Sequence, residues 1–212
     1  MKLLTEFVGT FLFLFVIALV VPTGGPLIPL AIGGALMVMV YMGGQWSGGM
    51  YNPAVALGVC LRGKMTASEM VQYWVVQFVA GILAFWLGAF VTGATVIVAP
   101  GAGVTPVAAL IVETIFTLML VLVVLNVATT KASENKGYYG LAIGFTIVVA
   151  AAAGGGISGG AFNPAVGIGS NVAALLRGEG STSHLWIYLV GPLLGGVLAA
   201  LIFRMQVKAE AA

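Results

Sequence analysis

The chain has 212 residues, 61% of them apolar and only 7% charged, with a formal net charge of +2. A water-soluble domain carries about 25% charged residues, so this composition excludes an ordinary soluble fold, and the charge excess is too small for a nucleic-acid partner. A single cysteine, Cys60, excludes a disulfide framework and a thiolate metal cluster.

Apolar runs fall at about 3–21, 27–42, 70–92, 106–128, 138–153 and 185–203. Each is near the ~20 residues that cross a bilayer as a helix, and all are too long for barrel strands. The first run follows Lys2 as a signal peptide's apolar segment would. It lacks a small-x-small cleavage site and takes part in an internal duplication, so it reads as span 1, carrying Glu6 and Thr10. Gly24-Gly25-Pro26 reads as an outer loop before span 2.

Behind span 2 comes Ser47-Gly48-Gly49-Met50-Tyr51-Asn52-Pro53-Ala54-Val55. Asn52 suits a helix N-cap, where its side-chain oxygen accepts a backbone N–H. Pro53 suits the first turn, where a missing N–H costs nothing. The apolar stretch 54–61 is too short to span, so it reads as a half-helix dipping into the membrane. The glycine pair is expected to run extended along a lumen with its carbonyls as acceptors. Such backbone is tolerated at membrane depth only where protein or a water-filled cavity covers it.

Spans 3 and 4 follow, joined by an outer loop at Pro100-Gly101-Ala102-Gly103, and span 4 carries Glu113 and Thr117 at the spacing of Glu6 and Thr10. Span 5 is short at 138–153, and the glycines after it can extend it. Then Ser158-Gly159-Gly160-Ala161-Phe162-Asn163-Pro164-Ala165-Val166 repeats the earlier segment at seven of nine positions, with Phe162 for Tyr51. A second half-helix, 165–176, and span 6 complete the chain.

The landmarks recur at slowly growing offsets: 107 residues for Glu6 and Glu113, 111 for the two Asn, 114 for Gly81 and Gly195, and 115 for Leu61-Arg62-Gly63 and Leu176-Arg177-Gly178. Halves 1–105 and 106–212 therefore read as copies of one unit within a single channel domain. Three spans per half make the repeat inverted. The fold class is an all-α membrane protein with six transmembrane helices and two re-entrant half-helices. Lys2, Arg62, Lys64, Lys131, Lys136, Arg204 and Lys208 fall on one side and only Arg177 on the other. The positive-inside rule places both termini in the cytoplasm, in an inner or plasma membrane. Trp74 and Trp186 are expected at the interfaces, and His184 at the surface before span 6. Gly140-x-x-x-Gly144 and Gly191-x-x-x-Gly195 read as close helix packing.

Both Asn-Pro-Ala motifs, the Glu-x-x-x-Thr pairs, Gln77 in span 3 and Gly191-Pro192 in span 6 together resemble the aquaporin and aquaglyceroporin family, the major intrinsic proteins, over essentially the whole chain. The resemblance implies a homotetramer with one pore per protomer, lipid around it, small neutral solutes and water within it, and no cofactor or metal. It also implies that Asn52 and Asn163 donate hydrogen bonds to the permeant. The carbonyls of Gly48, Gly49, Met50, Gly159, Gly160 and Ala161 would accept from it, and Glu6 and Glu113 would brace the re-entrant loops. The half-helix dipoles would oppose cations.

The chain departs from the family pattern at Val166, where most members carry the filter Arg. Placed by their spacing from the Asn residues, the other filter positions are Ile32, Ala151 and Gly160. The ring Ile32, Ala151, Gly160 and Val166 is wide, apolar and uncharged, and Met50 stands where the family usually has His. This predicts a passive channel for glycerol, urea or neutral metalloid hydroxides and for water. The alternatives are a water channel of low solute selectivity and a coupled secondary transporter. The transporter is disfavoured because the mid-membrane regions hold no Asp, Lys, Arg or His. An ammonium-type pore would need a histidine pair. An enzyme would need a base beside Ser47 or Ser158, or a metal site, and the sequence provides neither.

Overall fold

The protein is described by a computed structural model covering residues 1–134 and 136–210, apart from the side chains of 208–210, so the Lys208 side chain lies outside it. The described residues form eight α-helices: α1 Lys2–Val20, α2 Ile28–Ser47, α3 Pro53–Leu61, α4 Ala67–Thr92, α5 Pro106–Thr129, α6 Tyr139–Ser158, α7 Pro164–Leu176 and α8 Leu185–Glu210. Six are long and apolar enough to cross a membrane, and at ~1.5 Å per residue each reaches across or nearly across a ~30 Å core. The glycines after the short fifth run do extend it, since α6 continues to Ser158.

Local chemistry sets the helix ends. Thr66 and Glu69 form a reciprocal capping box at the start of α4. Thr105 caps α5 ahead of Pro106, and Asn52 and Asn163 cap the half-helices α3 and α7. Packing partners recur between the halves: α1 lies on α2 and α4 as α5 lies on α6 and α8, while α2 meets α6 at the centre. Each half-helix packs against a long helix of the other half, α3 on α8 and α7 on α4.

Glycines make these crossings close. A Cβ on Gly33 of α2 would stand 2.5 Å from the Gly144 carbonyl of α6, and one on Gly144 2.6 Å from the Gly33 carbonyl. With no hydrophobic drive between helices in lipid, such backbone approach supplies the packing energy. The structure corrects one pairing. Gly81 faces the Ala165 carbonyl, and its mirror image is Gly196 facing the Ala54 carbonyl, rather than Gly195. Gly195 instead seats α8 on the backbone of Thr114 and Leu118.

Lys2, Lys64, Lys131 and Lys136 border one open vestibule. Arg204 donates to the Leu61 carbonyl at the same end, and Arg62 lies over the Phe203 ring, 5.0 Å from its centre. Arg177 sits at the opposite end, beside Thr95 and Glu179. We call these the inner and outer ends.

Candidate functional site

The site is built where the two half-helices begin. The Asn52 oxygen accepts from the Ala54 amide and the Asn163 oxygen from the Ala165 amide, both at 2.9 Å. Each side-chain amide also crosses to the other loop: Asn52 Nδ2 donates to the Phe162 carbonyl and Asn163 Nδ2 to the Tyr51 carbonyl, again at 2.9 Å. Since a primary amide has two N–H groups, each Asn keeps one for another acceptor after this bridge.

The glycine segments are not extended as the sequence reading expects. Gly48, Gly49, Gly159 and Gly160 all have positive φ, as do Tyr51 and Phe162, both at 48°. Only glycine adopts that region at little cost; for an aromatic residue it is strained, by about 1–3 kcal/mol. Bulky residues hold this conformation only when their surroundings over-determine it, and they do. The Tyr51 ring fills the space beside Gly9 and Gly43, where any Cβ would collide with it, and its hydroxyl donates to the Met39 carbonyl at 3.0 Å. Phe162 meets Phe116 edge to face.

Glu6 and Glu113 are fully buried behind the loops. Glu6 accepts from Ser47 Oγ at 2.8 Å, the Met50 and Tyr51 amides at 3.0 and 2.9 Å, and Gln77 Nε2 at 2.9 Å. Glu113 accepts from Ser158 Oγ at 2.7 Å and the Ala161 and Phe162 amides at 3.0 and 2.6 Å. Its fourth donor is missing because the position matching Gln77 is Pro192, which has no donor. Tyr73 and Tyr188 complete the pattern, each donating its hydroxyl to the carbonyl of Ser47 or Ser158. The Thr10 and Thr117 hydroxyls are buried without a partner among the described residues, so these threonines act in packing rather than in the brace. Trp74 is half-buried near the start of α4. Its indole donates to the Pro53 carbonyl at 2.9 Å and ties α4 to α3, whereas Trp186 is 45% exposed, one residue into α8.

An outer cavity of about 100 Å³ brings together Asn52, Asn163, Ile32, Ala151, Gly160, Val166, Gly49, Met50, Gly159 and Ala161. Its volume exceeds the ~10–15 Å³ that one water requires. Gly48 does not line it and borders only the inner vestibule, which is wide and open at about 950 Å³. Met50 and Val124 border both spaces, so the two approach each other beside the Asn pair. Among the described residues no cluster of three or more His, Cys, Asp or Glu could hold a metal.

The site is thus a largely apolar outer cavity and a charged, open inner vestibule that approach each other where the two capped half-helices begin. Residues 1–203 match the sequence model of one family, Major intrinsic protein.

The chain belongs to the major intrinsic protein family.

It is similar to Glycerol uptake facilitator protein-like 6 of Lactiplantibacillus plantarum, at 33% identity over 218 residues and 97% of each chain. It is also similar to Probable aquaporin TIP2-2 of Oryza sativa subsp. japonica, at 37% identity over 94% of this chain and 84% of that one. Among solved structures, that of the aquaglyceroporin from Plasmodium falciparum superposes with a TM-score of 0.84 over 95% of this chain and 94% of its own, at 21% identity. This major intrinsic protein is thus an integral membrane channel for water or small solutes and not an enzyme.

Sequence reasoning missed one wall of its passage. The segment Val96-Ile97-Val98, in the loop between α4 and α5, folds inward and lines the outer cavity. Three consecutive apolar residues between the third span and the outer loop at Pro100 were the available signal. Asn171 of α7 was missed as well; its amide donates to the Val98 carbonyl at 2.9 Å.

Proposed function

We propose that this channel passes small uncharged solutes of the size of glycerol, urea and neutral metalloid hydroxides, together with water, through an outer filter that lacks an Arg. The observation that carries the reading is that Ile32, Ala151, Gly160 and Val166, placed by spacing alone, border one cavity with the two Asn residues. None bears a charge or an aromatic ring, so a polyol meets neither a fixed cation nor a bulky plug. The name of the Lactiplantibacillus relative agrees with such a solute. An apolar ring can also dewet, which lowers water flux relative to solute flux.

Selection against cations then rests on the centre. Helices α3 and α7 start at the crossed Asn bridge, and each N-terminus carries roughly +0.5 of an elementary charge. The free N–H of each Asn and the loop carbonyls offer the permeant a donor and acceptors. The protein acts as a homotetramer, each protomer turning its apolar outer faces to lipid or to a neighbour. Both termini lie in the cytoplasm, a reading supported by the cluster of cations at the inner end.

Stopped-flow light scattering on proteoliposomes tests the reading. Glycerol and urea should enter well above the rate of protein-free vesicles, and a hexitol should not. Entry of water alone would contradict it.

A further inference from the structure

Beyond its four positions the outer ring has a further wall, made by a loop, and a single side chain ties that wall down. Asn171 is 4% exposed. One of its amide N–H groups donates to the Gly167 carbonyl at 2.8 Å and the other to the Val98 carbonyl at 2.9 Å. No backbone N–H among the described residues reaches that Val98 carbonyl. The loop is clamped a second time just beyond. The Gly101 amide donates to the Ile157 carbonyl at 2.9 Å, and a Cβ on Gly101 would collide with the Gly156 carbonyl. Between these clamps and α4 lie Val96, Ile97 and Val98, which face the same cavity as Val166.

A buried carbonyl needs a donor. In a passage that offers water, an untied carbonyl takes its donor from the lumen. By occupying the Val98 carbonyl, Asn171 keeps this wall apolar and fixed. Asn171 lies five residues beyond Val166 on α7, about 7.5 Å further along the helix axis, so it is set back from the ring that it shapes.

We propose that Asn171 is a positioning residue for selectivity: it holds the Val96–Val98 segment as an additional apolar wall of the outer constriction and thereby sets the ratio of solute to water permeability. The inference rests on the channel reading above. Two variants release the wall at its two separate tethers. Asn171→Leu keeps the volume and removes the donor, while Gly101→Ala pushes the loop off Gly156. Permeabilities to glycerol and to water are measured in proteoliposomes for wild type, both variants, Ile97→Ala, and Ile97→Ala combined with Asn171→Leu.

The glycerol-to-water ratio should fall by roughly fivefold in both release variants, somewhat less than the about tenfold that one pocket methylene commands. Ile97→Ala should change the ratio in the wild-type background and change it much less once the wall is released, because two residues that act through one element are not additive. A general folding defect would lower both fluxes together and leave the ratio alone. Glycerol and water fluxes in the wild-type ratio, in whichever release variant reconstitutes, would overturn the inference, and so would full additivity with Ile97→Ala. Absence of glycerol flux in the wild type would overturn the channel reading and this inference with it, whereas wild-type flux with an unmoved ratio overturns this inference alone.

Discussion

At the level of single residues, the two carboxyls behind the loops differ in how well they are served. Glu6 has four donors and Glu113 three, because the position that would carry a second Gln is a proline. Removing one donor should therefore cost more at Glu113. Ser158→Ala is expected to lower stability by about 1–3 kcal/mol, and Ser47→Ala by less, since a buried acceptor deprived of its partner bears the desolvation penalty. Chemical unfolding in detergent compares the two, and equal losses or the reverse order would contradict the account. Much of this was legible in advance. The Asn, Pro and Glu positions were marked by their own chemistry and by occurring twice. The crossed bridge from each Asn to the opposite loop was not, because it joins residues 110 or more apart whose backbone directions depend on positive φ at Tyr51 and Phe162. No propensity argument assigns that conformation to an aromatic residue.

Among the elements, neighbouring glycines carry opposite expectations. Gly33 of α2 abuts the backbone of α6, whereas Gly34 has open space where a Cβ would go. Gly33→Ala should destabilise by about 1–3 kcal/mol through overpacking, while Gly34→Ala should be neutral or stabilising by up to ~1 kcal/mol, as expected for removing a helical glycine. Thermal unfolding of the two variants in one detergent reads the difference, and similar behaviour would contradict the α2–α6 crossing. Spans and half-helices were visible as apolar runs of the right length, bounded by Asn-Pro starts and glycines. Which helix face each glycine serves was not visible: sequence spacing paired Gly81 with Gly195, and the contacts pair it with Gly196. One residue of drift in the repeat is invisible until the carbonyl that each glycine approaches is known. The inward fold of Val96–Val98 was hidden for a similar reason, since its anchors on α6 and α7 are distant in sequence.

For the whole molecule, offsets and span parity lead to the expectation of an inverted repeat, and the packing of α3 on α8 and of α7 on α4 is the arrangement such a repeat would have. The same symmetry puts two helix N-termini at the centre of one passage and commits both buried carboxyls to holding loops. Neither is left to carry protons, so flux should follow the solute gradient alone. A protonophore added to energised vesicles should leave glycerol entry unchanged, and uptake above equilibrium would contradict a passive channel. An uncharged ring at Val166 should admit solutes larger than water. Glycerol entry into proteoliposomes, measured for wild type and Val166→Arg, tests it most directly. Entry should be rapid in the wild type and fall by roughly tenfold or more in the variant, as expected for altered pocket contacts, with water flux retained. Equal glycerol entry in the two proteins, with the variant still passing water, would contradict it.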